Sequence, residues 1–588
     1  NNSQTVARNF TIDTSRAKSN KQVVSICASK LGMHEYSEGR NDGSCDIYWF
    51  NIIYHDMRTI IKDPNAKINK FPGMSDLTKK ISLTRAISSM RRLFPDEYQY
   101  YPSSWFIPAQ LDTFVQYCKS RKTFHVDNWY IVKPNDGARG SGIYLIQQPE
   151  QIREPNMCQL IQEYIVNPYL LKDNLKFDLR VYAVIKSINP LSIYVAREGM
   201  ARFCTEKYAA PTTLNIDNYY AHLTNYSLNK ANNAYIHSVS MLLGSKRLLS
   251  TVLYQMAIRG VKTKQLWHKI KIIIVKTVIA MLPEIILNYE HYFYDRMGPQ
   301  CFQIMGFDIL ITENLEPVLL EVNSSPSLTI EHCLSNQCDG NMETFEPLKV
   351  RSIVDEIIKI PLVRDTILLV LDLLDDIFPY RYGQSNGHLL FLDKAVYLFM
   401  QFENLTIHFY RLFRKCGLLN DITMEKMELK YMEIYKYFTT EQYVPYVSGL
   451  SFHGFLYLLY HIAQLKFPFY NHLLEQMQQL LAYCDASLRN YGVRSAHLRH
   501  AQIYRKKSRN AEIYLLPSRI HEKRSNRKET SPKASESLKV QPRHARSLPR
   551  TLKSTVSRTS PTDYRVSYHD HNKKNDFVLP RIQQPFRL

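Results

Sequence analysis

The segment CFQIMGFDILITENLEPVLLEVNSSPSL, residues 301–328, contains two apolar runs of strand length separated by the polar turn TENLEP. A hairpin centred between Asn314 and Leu315 places residues whose numbers add up to 629 opposite each other, so Asp308 faces Glu321. Like charges opposite each other on a sheet are destabilising, and Asp308 shares its face with apolar residues. A bound cation would remove both costs. The alternatives are that one of the two acids is protonated or that a lysine lies across the sheet.

A third oxygen ligand follows on the second strand of this hairpin. Asn323 lies two residues after Glu321 and so points to the same face. Two carboxylates and one neutral oxygen form the all-oxygen ligand set that Mg²⁺ prefers, with waters and substrate phosphates completing its coordination. We therefore predict a magnesium site formed by Asp308, Glu321 and Asn323.

A second cluster of charges occurs in LKFDLRVYAV, residues 175–184. On a strand, Lys176, Asp178 and Arg180 share one face, while the residues between them are apolar and share the other. A structural ladder of ion pairs would have the same pattern. Beside a magnesium site, the charges favour a nucleotide-binding face.

The stretch YIVKPNDGARGSGIYLI, residues 130–146, places Lys133 at the end of an apolar run and follows it with three glycines. It is not a Walker loop, because the lysine precedes the glycines and no Lys-Ser or Lys-Thr follows them. Gly137, Gly140 and Gly142 allow backbone N–H groups to approach an anion closely, and Lys133 can reach the same charge. The glycines alone also fit a simple hairpin turn.

The composition indicates a globular protein of two or three domains, since 45% of the 588 residues are hydrophobic. The net charge of +21 predicts an anionic partner. The cysteines have no repeated spacing, which favours reduced thiols in a cytosolic protein. No signal peptide opens the chain, and its first residue is not Met, which is consistent with a truncated N-terminus. The apolar residues 272–287 include a lysine and a proline and are too few for a membrane span, so we expect a buried helix and no membrane insertion.

The order of patterns predicts an α/β (α+β) fold in five parts. They are an N-terminal extension (1–20), an N-terminal α/β lobe (21–125), a mixed-sheet region (126–375), a helical appendage (376–504) and a basic tail (505–588). The tail has 21 Lys and Arg against 7 Asp and Glu and few large apolar residues, so we expect it to be disordered. It is either a solubilising segment or an anchor on a polyanion.

Together these motifs resemble the tubulin tyrosine ligase-like family, which has an ATP-grasp fold. The matching segments occur in family order from residue 68 to residue 365, and they are INKFPGM, YIVKPNDG, IQEYI, KFDLRVY, REGMARFCTEKY, HLTNYSL, GSKR and GFDIL…LLEVNSSPSL. ARFCTEKY and SIVDEIIKIPLVRDT are most similar to the polyglutamylase branch. The resemblance implies that residues 126–375 form the central and C-terminal catalytic lobes of an ATP-grasp enzyme.

The resemblance also implies the roles of individual residues. The ATP-binding residues would be Lys80, Lys133, Arg139, Gly140, Gln162, Glu163, Tyr164, Ile165, Lys176, Asp178, Thr224 and Asn225, with residues 162–165 as the adenine hinge. Free L-glutamate would be bound by Arg202, Tyr226, Ser227 and Lys246. The family's magnesium ligands coincide with Asp308, Glu321 and Asn323, and the catalytic residues would be Lys176, Arg180 and Glu321.

The implied reaction is the ATP- and Mg²⁺-dependent ligation of free glutamate onto glutamate side chains of tubulin C-terminal tails through an acyl phosphate. Arg180 would stabilise the negative charge that develops. Likeness to the branch predicts elongation of side chains, although elongating members usually carry Cys-Gln in place of Ala138 and Arg139, and His in place of Ser324. The alternatives are a tubulin glycylase on the same fold and a catalytically inactive microtubule-binding scaffold.

The acidic tubulin tails would be the anionic partner that the net charge predicts. Family polyglutamylases often hold the microtubule with a cationic helical element, but residues 341–376 have four Lys or Arg against eight Asp or Glu. We therefore assign the anchoring role to the basic tail. No nucleic acid partner is expected, the chain should be a monomer, and its expected location is the cytoplasm and cytoskeleton, including the cilium axoneme or basal body.

Overall fold

The structure of the chain is a computed structural model. It describes residues 9–52, 56, 60–61, 63–123, 128–135, 137, 140–189, 191–236, 244–293, 301–333, 349–373, 380–381, 413–414, 416–418, 422–439, 449–490 and 585–587. All of these belong to one compact unit. The basic tail from residue 505 lies outside the described residues except for its last strand, so its disorder stays a prediction.

Strands and helices alternate along most of the unit, as the mixed α/β prediction requires. The strands are β1 (Thr11–Asp13), β2 (His34–Tyr36), β3 (Ile47–Tyr48), β4 (Lys67–Ile68), β5 (Ser104–Ile107), β6 (Tyr130–Pro134), β7 (Tyr144–Ile146), β8 (Gln159–Glu163), β9 (Leu175–Ile188), β10 (Leu191–Val195), β11 (Met200–Lys207), β12 (Lys246–Leu248), β13 (Gln303–Ile311), β14 (Pro317–Asn323), β15 (Glu331–Cys333), β16 (Lys349–Arg351), β17 (Tyr380–Arg381) and β18 (Pro585–Arg587). The helices are α1 (Lys21–Lys30), α2 (Met74–Leu77), α3 (Lys80–Leu93), α4 (Leu111–Thr123), α5 (Tyr219–His222), α6 (Tyr226–Asn229), α7 (Leu249–Ile258), α8 (Thr263–Phe293), α9 (Ile353–Val370), α10 (Met424–Thr439), α11 (Phe452–Lys466) and α12 (Leu473–Asn490), and two short 3₁₀ helices lie at Lys18–Asn20 and Pro149–Gln151.

Three larger sheets organise these strands. The first is parallel, in the order β2-β1-β3-β4, and the second is antiparallel, in the order β5-β8-β6-β7. The third has β9 at its centre, with β13 and then β14 on one side and β11-β12 and β10-β18-β17 on the other. The second and third sheets supply the two walls of the site described below.

The structure differs from the predicted boundaries at two places. β1 lies inside the residues 1–20 that the sequence assigns to an extension, yet it pairs with both β2 and β3. β5 precedes residue 125 but pairs with β8 of the second sheet. Both strands are only three or four residues long, and strands of that length have no periodicity from which their partners can be read.

The long strand β9 has two different faces, as its alternating sequence predicts. Phe177, Leu179 and Val181 are buried in the main apolar core with Ile270 and Ile274 of helix α8. Burying this face fixes the register of β9, because a slip by one residue would turn the charged side chains into the core. The opposite face therefore carries Lys176, Asp178 and Arg180 into the site.

Helix α8 contains residues 272–287, which the sequence predicts to be a buried helix, and many of its side chains lie in the main core. Within the part of the chain that the structure describes, no helix is both long enough and apolar enough to cross a membrane. The cysteine side chains described there form no disulfide.

Helices α10 to α12 form a C-terminal helical module that packs on helix α3. The guanidinium of Arg85 on α3 lies 4.6 Å from the ring centre of Phe106 and 4.9 Å from that of Phe438, and its Nη2 donates to the carbonyl of Tyr437 at 2.9 Å. About two turns later, Arg92 lies 4.9 Å from the ring centre of Tyr460. Cations stacked on aromatic rings thus join the module to the helix that begins at Lys80.

Candidate active site

A cleft of about 660 Å³ lies between the second and third sheets. Its walls carry polar side chains from strands β6, β8, β9, β13 and β14, together with the apolar side chains of Ile131, Ile143 and Leu310. Its mixture of apolar walls with a few charged groups is typical of a small-molecule site.

The hairpin of β13 and β14 brings the two predicted carboxylates together. Asp308 pairs with Glu321 in the register that the sequence predicts, and Gly306 pairs with Asn323. Towards the turn the pairing shifts by one residue, because Leu320 forms a β-bulge between Leu319 and Glu321. The bulge lies beside the site, and Leu320 lines the cleft.

Asp308 is fully buried and is held by two arginines. Arg180 binds both of its carboxylate oxygens, through Nε and, at 2.9 Å, through Nη2. Arg202 donates from Nη2 to Asp308 Oδ2 at 2.6 Å and to Asp178 Oδ2 at 2.5 Å. Burial alone would raise the pKa of Asp308, but these guanidinium groups hold it well below its ordinary value. Arginine therefore compensates the negative charge of Asp308, which lies opposite Glu321. The alternative of a lysine across the sheet is not what the structure shows.

The close approach of Arg180 to the hairpin depends on Gly306. A Cβ atom at this position would lie 3.0 Å from Cδ of Arg180 and 3.1 Å from Cβ of Pro326. A side chain there would require Arg180 or Pro326 to shift by a few tenths of an ångström.

Glu321 differs from Asp308 in its partners. Burial raises its pKa, and the neighbouring charge of Asp308 raises it further. The nearest amide, Nδ2 of Asn323, donates to its Oε1 at a long 3.4 Å. Burial and the charge of Asp308 thus outweigh the charges of Arg202 and Arg180, which act to lower the pKa of Glu321.

The residues at this hairpin fit a divalent cation by the chemistry of their donors. No cluster of three or more His, Cys, Asp or Glu side chains suited to a metal occurs in the described ranges, so a metal here would rest on two carboxylates and an amide. Asp308 Oδ1 accepts a hydrogen bond from Arg180, and Asp308 and Glu321 also share a hydrogen bond, which leaves further lone pairs on both acids. A cation between the two acids would relieve the repulsion that raises the pKa of Glu321.

Two buried lysines face the cleft from opposite sheets. Nζ of Lys133 on β6 donates to Gln162 Oε1 at 2.7 Å, and Nζ of Lys176 on β9 donates to the hydroxyl of Tyr164 at 2.7 Å. Burial lowers the pKa of each lysine to about 8. Two desolvated ammonium groups in one cleft form a site for a polyanion.

The predicted adenine hinge lies at the end of β8. Gln162, Glu163, Tyr164 and Ile165 all line the cleft, as do Thr224 and Asn225. Asp178 is held there by Thr224, whose hydroxyl donates to Oδ2 at 2.6 Å, and by Nε of Arg202 at 2.8 Å.

The glycine-rich turn after β6 is connected to the start of helix α3. Nζ of Lys80 donates to the carbonyl oxygen of Gly137 at 2.6 Å. Gly140 has φ of +88°, and a Cβ atom there would lie 3.3 Å from Cγ of Asn225. Gly140 therefore supplies both the backbone conformation and the close approach that its turn requires. Arg139 lies outside the described residues.

The residues predicted to bind glutamate form a second group beside the cleft. Arg202 on β11 pairs with Lys246 on β12 across the sheet. Nζ of Lys246 lies 3.9 Å from the ring centre of Tyr226 and 3.0 Å from Asp355 Oδ2. Ser227 follows Tyr226 on the short helix α6.

Several site residues were missed by the sequence analysis. Asp355 is shared by Lys246 and by Lys359, whose Nζ lies 2.7 Å from Oδ1. Nδ1 of His222 lies 3.0 Å from the Tyr164 hydroxyl in the cleft, and burial lowers its pKa to about 4. The i,i+4 spacing of Asp355 and Lys359 was a signal of their pairing, but no sequence pattern indicates that they meet Lys246.

Comparison with known proteins identifies the family. A profile described as "Tubulin-tyrosine ligase family" matches residues 58–343, and one described as "Tubulin polyglutamylase TTLL11, EF-hand" matches residues 375–502, which include the helical module. The Caenorhabditis elegans protein named Tubulin polyglutamylase ttll-11 is 54% identical to the chain over 89% of this chain and 79% of that relative. The Homo sapiens protein named Tubulin polyglutamylase TTLL11 is 34% identical over 82% and 74%, and Homo sapiens Tubulin polyglutamylase TTLL6 is 37% identical over 54% and 36%. Similarity over most of the length of two relatives, together with the profile match, shows that the chain belongs to the tubulin-tyrosine ligase family.

Proposed function

We propose that the chain is a tubulin polyglutamylase of ATP-grasp fold, which ligates free L-glutamate onto glutamate side chains of tubulin C-terminal tails at the expense of ATP. The observation that carries this proposal is the cleft in which the carboxylates of Asp308 and Glu321 face the ammonium groups of Lys133 and Lys176. Relatives named tubulin polyglutamylases support the choice of tubulin and glutamate.

The nucleotide would occupy this cleft. Its adenine would lie against residues 162–165 and the apolar side chains, and its phosphates would be bound by Lys133, Lys176 and Lys80, with Arg139 and Gly140 in the covering turn. Asp178, Thr224 and Asn225 would orient the nucleotide. Mg²⁺ would be held by Asp308, Glu321 and Asn323, where it would neutralise phosphate charge during phosphoryl transfer.

The incoming glutamate would bind beside Arg202 and Lys246. Asp355 is shared by two lysines, so the group of Lys246, Lys359 and Asp355 keeps one positive charge in excess. That excess suits a carboxylate of a free amino acid. Tyr226 and Ser227 would complete the site with hydroxyl groups.

The reaction would proceed in two steps. The acceptor carboxylate attacks the γ-phosphorus of ATP and forms an acyl phosphate with release of ADP, and the glutamate amine then attacks the acyl carbon, loses a proton and releases phosphate. Arg180, whose guanidinium binds Asp308, would add positive charge beside the transferred group and hold Asp308 in place. Lys176 would act on the same phosphates from the opposite wall.

The direct test incubates the full chain with microtubules, ATP, Mg²⁺ and either glutamate or glycine, followed by mass spectrometry of the tubulin tails. We expect ATP-dependent mass increments of glutamate. Branches longer than one residue would support the elongating activity that we propose. Incorporation of glycine instead, or no modification at all, would contradict the proposal.

The two cleft lysines lead to a prediction about pH. Because the pKa of Lys133 and that of Lys176 are lowered to about 8, both lose charge in the unliganded cleft as the pH rises past that value. We expect the affinity for a non-hydrolysable ATP analogue, measured by calorimetry, to fall on the order of tenfold between pH 7 and pH 9. Lys133→Met should bind the analogue more weakly at pH 7 and show a smaller pH dependence. Equal affinity at both pH values would contradict the assignment.

The basic segment from residue 505 would hold part of the acidic tubulin tail. The enzyme would act as a monomer in the cytoplasm and on the cytoskeleton, including cilia. This segment carries two thirds of the excess positive charge. Attraction of this kind weakens with salt.

A further inference from the structure

A second, smaller cavity lies outside the nucleotide cleft, and the reaction proposed above assigns no role to the residues that line it. Lys70, in the segment after β4, lines this cavity together with Trp49 and Ser325. Ile304 contributes an apolar wall from β13. The chemistry of its polar groups indicates what it can bind.

Lys70 is a buried cation, and no acidic side chain among the described residues pairs with it. Its side chain is 7% exposed, and among the described residues its Nζ has one hydrogen-bond partner, Ser325 Oγ at 2.6 Å. Burial lowers its pKa to about 8, and no carboxylate offsets this effect. A buried ammonium group that keeps only a hydroxyl partner can still donate two hydrogen bonds.

A second buried donor lines the same cavity. Trp49 is 1% exposed, and its indole Nε1 has no hydrogen-bond partner in the described part of the chain. A buried donor without a partner is costly, and such groups are usually satisfied by a ligand or water. Lys70 and Trp49 can only donate, so a ligand that binds both must offer acceptor atoms, and the charge of Lys70 favours an anion over a water.

The walls of the cavity are held in place by Gln303, which is itself buried. Its Oε1 accepts from the backbone N–H of Phe71, and its Nε2 donates to the carbonyl of Ser324 at 2.6 Å. The segment that carries Lys70 and the segment that carries Ser325 are thus fixed relative to each other. The donors are arranged before any ligand binds, which lowers the cost of binding.

The position of the cavity relates it to the reaction centre. Ile304 precedes Asp308 by four residues on the same face of β13, a distance of about 13 Å along a strand. Ser325 follows Asn323 by two residues. An extended acidic peptide with one carboxylate beside Asp308 can place another carboxylate at this distance within a few residues.

We propose that Lys70, Trp49 and Ser325 form a subsite for a second carboxylate of the acidic acceptor peptide. This inference rests on the proposed function, since it concerns the acceptor of that reaction. The carboxylate can come from a neighbouring glutamate of the main chain or from a γ-linked glutamate branch.

The test measures steady-state kinetics of the full chain with Lys70→Met, a substitution close in length that removes the charge. We expect the KM for an acidic acceptor peptide to rise on the order of tenfold, as for the loss of a hydrogen bond to a charged group, while the KM values for ATP and glutamate stay within twofold. Trp49→Phe, which keeps the ring and removes the N–H, should raise the acceptor KM less. Lys269→Met is the matched control, because Lys269 lies on the surface of α8 and pairs with Glu316.

Unchanged acceptor KM in Lys70→Met, or a rise confined to ATP or glutamate, would overturn the subsite. Wild-type chain without any ligation would instead overturn the proposed function. In that case, peptide binding still tests the cavity. In fluorescence anisotropy, the Glu321→Gln protein should bind a labelled acidic peptide more tightly than the Glu321→Gln, Lys70→Met double variant does. A main-chain peptide and a γ-branched peptide are compared, and the one that loses more affinity identifies the source. Equal affinity of both peptides for both proteins overturns the proposal.

The Lys70→Met protein should unfold at or above the wild-type temperature, because the substitution removes a buried charge that no carboxylate of the described residues offsets.

Discussion

Replacing Asp308 with asparagine should destabilise the folded chain by about 3–5 kcal/mol, the usual cost of breaking a buried ion pair. Arg180 and Arg202 would be left buried beside a neutral amide, whose NH₂ group repels their N–H donors. The same change should abolish ligation, because it removes a proposed metal ligand. Thermal unfolding and the ligation assay measure the two effects separately.

The stabilisation that Asp308 provides should depend on pH in a defined direction. Because the pKa of Asp308 is held well below its unfolded value of about 3.8, its stabilisation is complete above that value and is lost as the pH falls further. Asp308→Asn protein should therefore lose less stability than wild type when the pH is lowered below about 4. Equal stability of the two proteins at neutral pH would contradict the arginine clamp.

Replacing Glu321 with glutamine should leave the fold intact and lower the ligation rate by about 10³-fold or more, since metal-assisted charge stabilisation is worth several kcal/mol. The pKa of Glu321 is raised by burial and by Asp308, so ionising this side chain costs more in the folded chain than in the unfolded chain. A neutral amide of the same shape removes this cost. We expect the unfolding temperature without nucleotide to equal or exceed that of wild type.

The two carboxylates thus give opposite predictions for stability although they face each other on one hairpin. Glu316→Gln, on the exposed turn of the same hairpin, is the matched control and should retain activity. Marked destabilisation by Glu321→Gln would show that Glu321 is ionised and paired in the unliganded protein. Retained ligation would exclude it as a metal ligand.

Much of the core of the site was predictable from residues alone. The alternation in β9 predicts that its charged side chains share the face opposite the apolar core, and the symmetry of the β13–β14 hairpin predicts that Asp308 faces Glu321; both are confirmed. These predictions succeed because alternation and hairpin pairing are local properties of the chain. The bulge at Leu320 was not predictable, since a single extra residue changes the register without a composition signal.

The compensation of charge could not be predicted from the sequence either. Arg202 lies on β11 and Asp308 on β13, more than a hundred residues apart, and their contact depends on the order of strands in the sheet. The assumption that a bound cation must offset both carboxylates therefore missed the arginines. For the same reason the pairing of Lys246 with Asp355, and the meeting of Trp49 with Lys70, appear only in the folded chain.

Helix α3 begins with Lys80, which donates to the glycine-rich turn after β6, and continues through Arg85 and Arg92, which stack on rings of the helical module. A shortened chain that stopped near residue 375 would keep the whole cleft but expose those arginines and the apolar surface around them to water. We therefore expect the catalytic region to need its helical module when the chain is shortened for expression or when domains are exchanged between relatives.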